Sequence, residues 1–235
     1  MRPSMRRTDR PNQGALADAL ADAAPGQSVA LDCPCGTGQL SVLLADRFEH
    51  VIAADASAAQ VAPARPHARV AYSVAPAERS GQPAARAASC RSRRQPTGSN
   101  FRPSTPRCDG SRILALITYW VLHIDDAAID AVTQRFYGGT LGPYWPPERR
   151  HVEDGYRMLP FPFPAVAMPE LAIRLSWGRS ELIGYTETWS AVRALETALG
   201  RALITAFQDA LAAAWGAPTV QRDIRWPLSV RAGRL

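Results

Sequence analysis

The stretch Val29 to Ser41 (VALDCPCGTGQLS) constrains the fold more than any other part of the chain, because an apolar run breaks into a glycine turn and then opens a helix. A buried strand feeding such a turn is the first half of a βα unit, and ligands bind beyond the carboxyl ends of strands connected in this way. Gly36 and Gly38 lack a Cβ, so the backbone there can approach a ligand closely and adopt φ angles that other residues avoid. The N–H groups that follow the turn point at whatever sits above it, which suits a nucleotide-type cofactor.

Spacing narrows the cofactor. A dinucleotide fingerprint requires a third glycine three positions after Gly38, and Ser41 stands there instead. A second apolar run, Val51 to Ala54, ends on an acid, Asp55, seventeen positions after Gly38, and a carboxylate so placed can accept both hydroxyls of a ribose. A third short run ends in Val74-Ala75-Pro76-Ala77-Glu78, where an adenine ring would lie.

Together these stretches resemble the class I S-adenosylmethionine-dependent methyltransferases. The resemblance implies a Rossmann-like α/β fold, a seven-stranded sheet in the order 3-2-1-4-5-7-6 with helices on both faces. It implies that Asp32, Gly36 and Gly38 hold the methionine end of S-adenosylmethionine, Asp55 the ribose, and Ala77 and Glu78 the adenine, with Thr37 and Ala56 also binding the cofactor. The stretches Ile113 to Tyr119, Gly142 to Arg150 and Trp226 to Arg234 carry a narrower resemblance, to the type 11 methyltransferases that esterify trans-aconitate and related small acids. Tyr144, Trp145, Arg149 and Arg150 are candidate acceptor residues, an arginine gripping a carboxylate bidentately; the alternative is an aromatic loop with a solvated basic pair. One departure is Pro34, where the family has glycine; proline fixes φ near −65° and removes an N–H.

The reaction asks for no general base, because a carboxylate acceptor is already ionised at neutral pH and alignment in a closed cleft supplies the rate. No catalytic residue is therefore assigned, and His123, which follows the Ile113 to Tyr119 run, is expected to be structural.

Composition removes other classes. The chain has 235 residues, 46% of them hydrophobic, enough for one sizeable core with a small cap. No apolar run approaches the roughly 20 residues of a membrane helix, and Met1 to Pro11 is arginine-rich without the apolar stretch of a signal peptide. A cytoplasmic enzyme, monomeric or homodimeric, is expected. The four cysteines, at 33, 35, 90 and 108, lack the spacing of a zinc site, and no metal is expected.

The net charge of +6 would suggest a nucleic-acid partner, but its location argues against one. Residues 82–112 hold seven arginines and one acid, which accounts for the whole excess and leaves the remainder neutral. That segment contains no Val, Ile, Leu or Met, although the family fold requires its fourth strand and a helix there. A Ser/Pro/Arg-rich insertion is one reading. A sharper one is a shifted reading frame: the codons allowed for residues 96–112, read one base out, permit the string HWFELPAFYAEVRRVA, which has helical apolar periodicity and resembles the family at this place. A frameshift from about residue 86 to just before Ile113 is expected, with a corrupted fourth strand, an opened sheet and impaired activity.

The remaining organisation is expected as follows. Residues 1–11 are a disordered N-terminus, 12–124 the cofactor-binding core with an anomalous, disordered segment at 82–112, 125–170 a substrate-side cap, and 171–235 the strands and helices that complete the sheet. Helices are predicted over Ala15–Ala24, Gln39–Arg47, Ala127–Tyr137, Glu181–Leu199 and Ala202–Trp215. Two further readings stay open, a nicotinamide-dependent oxidoreductase and a non-catalytic remnant that binds cofactor.

Overall fold

The computed structural model describes residues 13–77, 88–92 and 112–235, the segment 88–92 by its backbone alone. Residues 1–11, Glu78 and most of the 82–112 segment lie outside the described residues. The described chain divides into two compact units. The first comprises residues 13–120, His151–Leu171 and Leu228–Leu235; the second comprises Val121–Arg150 and Ala172–Pro227.

The first unit is built on a parallel sheet. Strand β1 (Val29–Asp32) pairs in parallel with β2 (His50–Asp55), and β2 in parallel with β3 (Val70–Val74). On the other side of β1 lies β4 (Ala88–Ser92), parallel to both β1 and β5 (Ile113–Tyr119). The expected opening in the middle of the sheet is therefore not found. A parallel ladder needs only backbone N–H and C=O groups, and Ala88-Ser89-Cys90-Arg91-Ser92 contains no proline to withhold one. The C-terminal part of β9 (Arg222–Arg234) closes the unit, antiparallel to β5 from Leu228 to Arg234, and the two-residue strand β7 (Ala165–Val166) pairs with it in turn.

Two helices cover one core. Helix α1 (Gln13–Ala23) turns Leu16 and Leu20 inward, one helical turn apart, and ends before Pro25-Gly26. Helix α2 (Gln39–Leu44) follows the glycine turn and ends earlier than the predicted Arg47. Leu16, Leu20, Leu44, Phe48, Val51, Ile113 and Ile117 form a common buried cluster. Strand β5 is apolar on both faces because both are covered, the usual condition of a parallel strand. A short helix α3 (Ala58–Val61) connects β2 to β3.

In the second unit the first part of β9 pairs antiparallel with β6 (His123–Ile124), and β8 (Leu171–Trp177) also pairs with β9. Among the described residues there are thus nine strands where seven were expected; β6 and β7 are two-residue additions. Helix α4 (Ala127–Gln134) is capped by Asp126, whose carboxylate accepts the N–H groups of Ala128 and Ile129. A π-helical stretch, Arg135–Thr140, takes over where a longer α-helix was predicted. The predicted helix Glu181–Leu199 is two helices, α6 (Arg179–Thr186) and α7 (Ser190–Leu199). Helix α8 (Ala202–Trp215) buries Ile204, Phe207, Leu211 and Trp215 at helical spacing, and Phe207 stacks on Phe136 at 3.9 Å. Helix α5 (Arg149–Glu153) links the units in sequence. Among the described residues no helix is long and apolar enough to cross a membrane.

Candidate functional site

The first unit gathers Asp32, Gly36, Thr37, Gly38, Asp55 and Ala56 at the carboxyl ends of β1 and β2. The glycine turn is fixed there by backbone bonds: the Cys35 N–H donates to Ala54 O at 2.9 Å, and the Gly38 N–H to Cys35 O at 2.9 Å. The cis peptide before Pro34 sits inside this turn, and Cys35, Gly36 and Gly38 all keep bonded N–H groups despite the proline. Gly36 and Gly38 have φ of 55° and 76°, the left-handed region in which glycine is tolerated best. Thr37, between them, and Ala56 are exposed.

The glycines differ in what lies over them. A Cβ on Gly36 would meet nothing within 4 Å, whereas one on Gly38 would lie 2.2 Å from the hydroxyl of Tyr72. The open approach expected at both glycines exists at Gly36; at Gly38 a phenol from β3 occupies the space.

Asp55 is 6% exposed and bonded on both carboxylate oxygens. Its Oδ2 accepts the Gly36 N–H at 2.9 Å and its Oδ1 the Ser57 N–H at 2.8 Å. An ionised carboxylate has about four acceptor positions, so each oxygen can take a further donor. The Ala75 N–H donates to the Asp55 backbone oxygen, which ties the end of β3, with half-buried Ala77 just beyond, to the end of β2.

Asp32 is 1% exposed. Its Oδ2 accepts the hydroxyl of fully buried Ser41 at 2.6 Å, and its Oδ1 has no partner. Burial pushes its carboxyl up to about 7, against the lowering effect of the Ser41 hydroxyl and with a smaller upward contribution from the Asp55 charge. The residue that replaced the third glycine is therefore a ligand of the first acid. Sequence reasoning missed this role and missed Tyr72; the signal for the latter was the period of two in β3, which puts Tyr72 on the same face as half-buried Val70, which packs against the core.

The expected acceptor residues belong to the second unit. Trp145 and Arg149 meet on Tyr137: the Trp145 indole N–H donates to Tyr137 O at 3.1 Å, and Arg149 Nε donates to the Tyr137 hydroxyl at 2.9 Å. The Arg149 guanidinium lies 5.0 Å from the Trp145 ring centre, within cation–π range. Trp189 packs on both Tyr137 and Trp145. Tyr144 is half-buried and Arg150 exposed. His123 is tied to Asp130 at 3.3 Å, and Asp130 also accepts the Ile124 N–H, a contact that fastens β6 to α4. Among the described residues no group of three His, Cys, Asp or Glu side chains is arranged to hold a metal.

The chain matches no family profile. It is similar to the solved structure of a candidate type II methyltransferase from Anaeromyxobacter dehalogenans, with 39% identity, a TM-score of 0.84 and coverage of 95% of this chain and 96% of that one. It is also similar to a candidate methyltransferase of Dictyostelium discoideum, 26% identical over 199 residues that make up 80% of this chain and 74% of that protein.

Proposed function

The chain belongs to the S-adenosylmethionine-dependent methyltransferases, and on that premise we propose that it methylates a small-molecule carboxylate. The observation that carries the cofactor reading is the pair of acids around the glycine turn. Asp55 accepts two backbone donors and keeps capacity for two more, which suits the vicinal hydroxyls of a ribose. Asp32 presents one buried oxygen without a partner, which suits a cationic amino group. Gly36 leaves its Cα face open. These residues fit the cofactor without rearrangement of the backbone bonds that hold the turn.

When bound, S-adenosylmethionine supplies an electrophilic methyl group on a sulfonium. The chain's own residues then bind and orient. Asp32 holds the amino-acid end of the cofactor and Asp55 its ribose, and Ala77 and, on the resemblance, Glu78 take its adenine. Arg149, braced against Trp145 and Tyr137, takes the carboxylate of the acceptor, with Tyr144, Trp145 and Arg150 around it. We assign the chain to the type 11 subgroup and name no general base, since an ionised carboxylate is already a nucleophile. We also retain the shifted reading frame over about 86–112 as the origin of the arginine-rich text.

Calorimetric titration of the purified chain with S-adenosylhomocysteine tests the cofactor reading. Micromolar affinity is expected; a folded chain that binds none removes it. Acids and their amides, offered in parallel with labelled cofactor, test the acceptor class. Label transferred to amides and not to acids would overturn the carboxylate assignment.

A further inference from the structure

Two polar atoms beside the glycine turn are buried without a protein partner, Asp32 Oδ1 and the Tyr72 hydroxyl. They come from different strands. Asp32 ends β1, and Tyr72 lies in the middle of β3, in register with Ala53 of β2. The Tyr72 ring spans the distance to the turn, since its hydroxyl, Cε1 and Cζ would lie 2.2, 2.6 and 2.7 Å from a Cβ on Gly38. Burial, with the Cys35 thiol and the Asp32 carboxyl nearby, pushes the pKa of the phenol above its ordinary value, so its hydroxyl is neutral at physiological pH.

Packing alone does not account for that hydroxyl. A phenylalanine ring would fill the same place against Gly38, and leaving a hydroxyl buried and unpaired costs about 1–3 kcal/mol. Buried polar atoms in folded proteins are nearly always satisfied, so two orphans at one turn point to a polar ligand. Both offer acceptor lone pairs, and the complementary group carries several N–H donors.

We propose that Tyr72 is a cofactor-binding residue, its hydroxyl oxygen and Asp32 Oδ1 together accepting the N–H donors of the ammonium group at the amino-acid end of S-adenosylmethionine. Ser41, bonded to the other oxygen of Asp32 at 2.6 Å, fixes which oxygen is presented. The inference rests on the cofactor reading given above. It explains why Gly38 cannot carry a side chain: the space over it belongs to a ligand-binding phenol.

The test is a calorimetric comparison of the full chain and its Tyr72→Phe variant with two probes. S-adenosylhomocysteine has the amino-acid end, and 5′-methylthioadenosine lacks it. In the variant, affinity for S-adenosylhomocysteine is expected to fall about ten- to a hundredfold, the loss of one hydrogen bond to a charged group, with affinity for methylthioadenosine unchanged. An equal loss with both probes would mean a structural role and overturn the proposal. So would unchanged affinity, and so would tighter binding, which would make the phenol a plug. If the wild-type chain is folded and binds neither probe, the cofactor reading itself fails. Thermal denaturation checks the variant's fold, and Tyr72→Met, similar in bulk and without the hydroxyl, replaces it if phenylalanine is not accommodated.

Discussion

Burial sets the chemistry of Asp32. Taking its carboxyl out of water raises it from 3.8 to about 7, so the folded chain keeps a proton there that the unfolded chain gives up near pH 4. The stabilisation by that proton is fully present below about pH 4 and is lost as pH rises toward 7. Asp32→Asn removes the titrating group. In denaturant titrations at about pH 4 and about pH 8, the wild type should lose on the order of 2–4 kcal/mol more than the variant over that interval. The same variant should bind S-adenosylhomocysteine more weakly at the higher pH, since the amide has no charge to offer the ammonium group. The two glycines make a second contrast. Gly36→Ala meets only the cost of a left-handed φ, about 1–2 kcal/mol. Gly38→Ala meets that cost and a collision with Tyr72, and should melt lower than Gly36→Ala. Equal melting temperatures would show that the ring swings away freely.

At the level of elements, α4 depends on one residue. Asp126 accepts two N–H groups of its first turn and pairs with Arg222 at 3.2 Å. Asp126→Ala should cost about 1–2 kcal/mol, a fall in Tm of several degrees for a chain of this size. Asp126→Asn keeps the cap, loses the ion pair, and should cost less. Strand β5 coincides with the Ile113 to Tyr119 run, and β3 ends on Val74, where the third short run ends before Pro76. The division of Glu181–Leu199 was not legible. There the Thr186 and Thr188 hydroxyls donate back to the carbonyls of Ile183 and Tyr185, a local competition with the helix that propensity alone does not rank. The candidate site was legible only in part for a related reason. Gly36, Gly38 and Asp55 announce themselves by spacing along the chain. Ser41 and Tyr72 meet Asp32 and Gly38 only after β1, β2 and β3 are aligned.

For the molecule as a whole, the decisive region is the middle of the first unit's sheet. Backbone pairing through Ala88–Ser92 keeps the ladder continuous from β1 to β5, so the arginine-rich text does not abolish the architecture. What it withholds is apolar area. A central parallel strand is covered on both faces, and each Å² of apolar surface removed from water contributes about 25 cal/mol. Residues 82–112 offer no Val, Ile, Leu or Met, while the shifted-frame string offers several apolar residues at helical spacing. A chain carrying the shifted-frame segment should therefore melt higher than the chain as written and bind S-adenosylhomocysteine more tightly. Because the whole net charge of +6 resides in that segment, the replacement should also bring the protein close to electrical neutrality. It should then remove any salt-dependent retention on nucleic acid, whose affinity follows released counterions. If the two chains melt and bind alike, the segment as written is the native one, and its arginines need a role of their own.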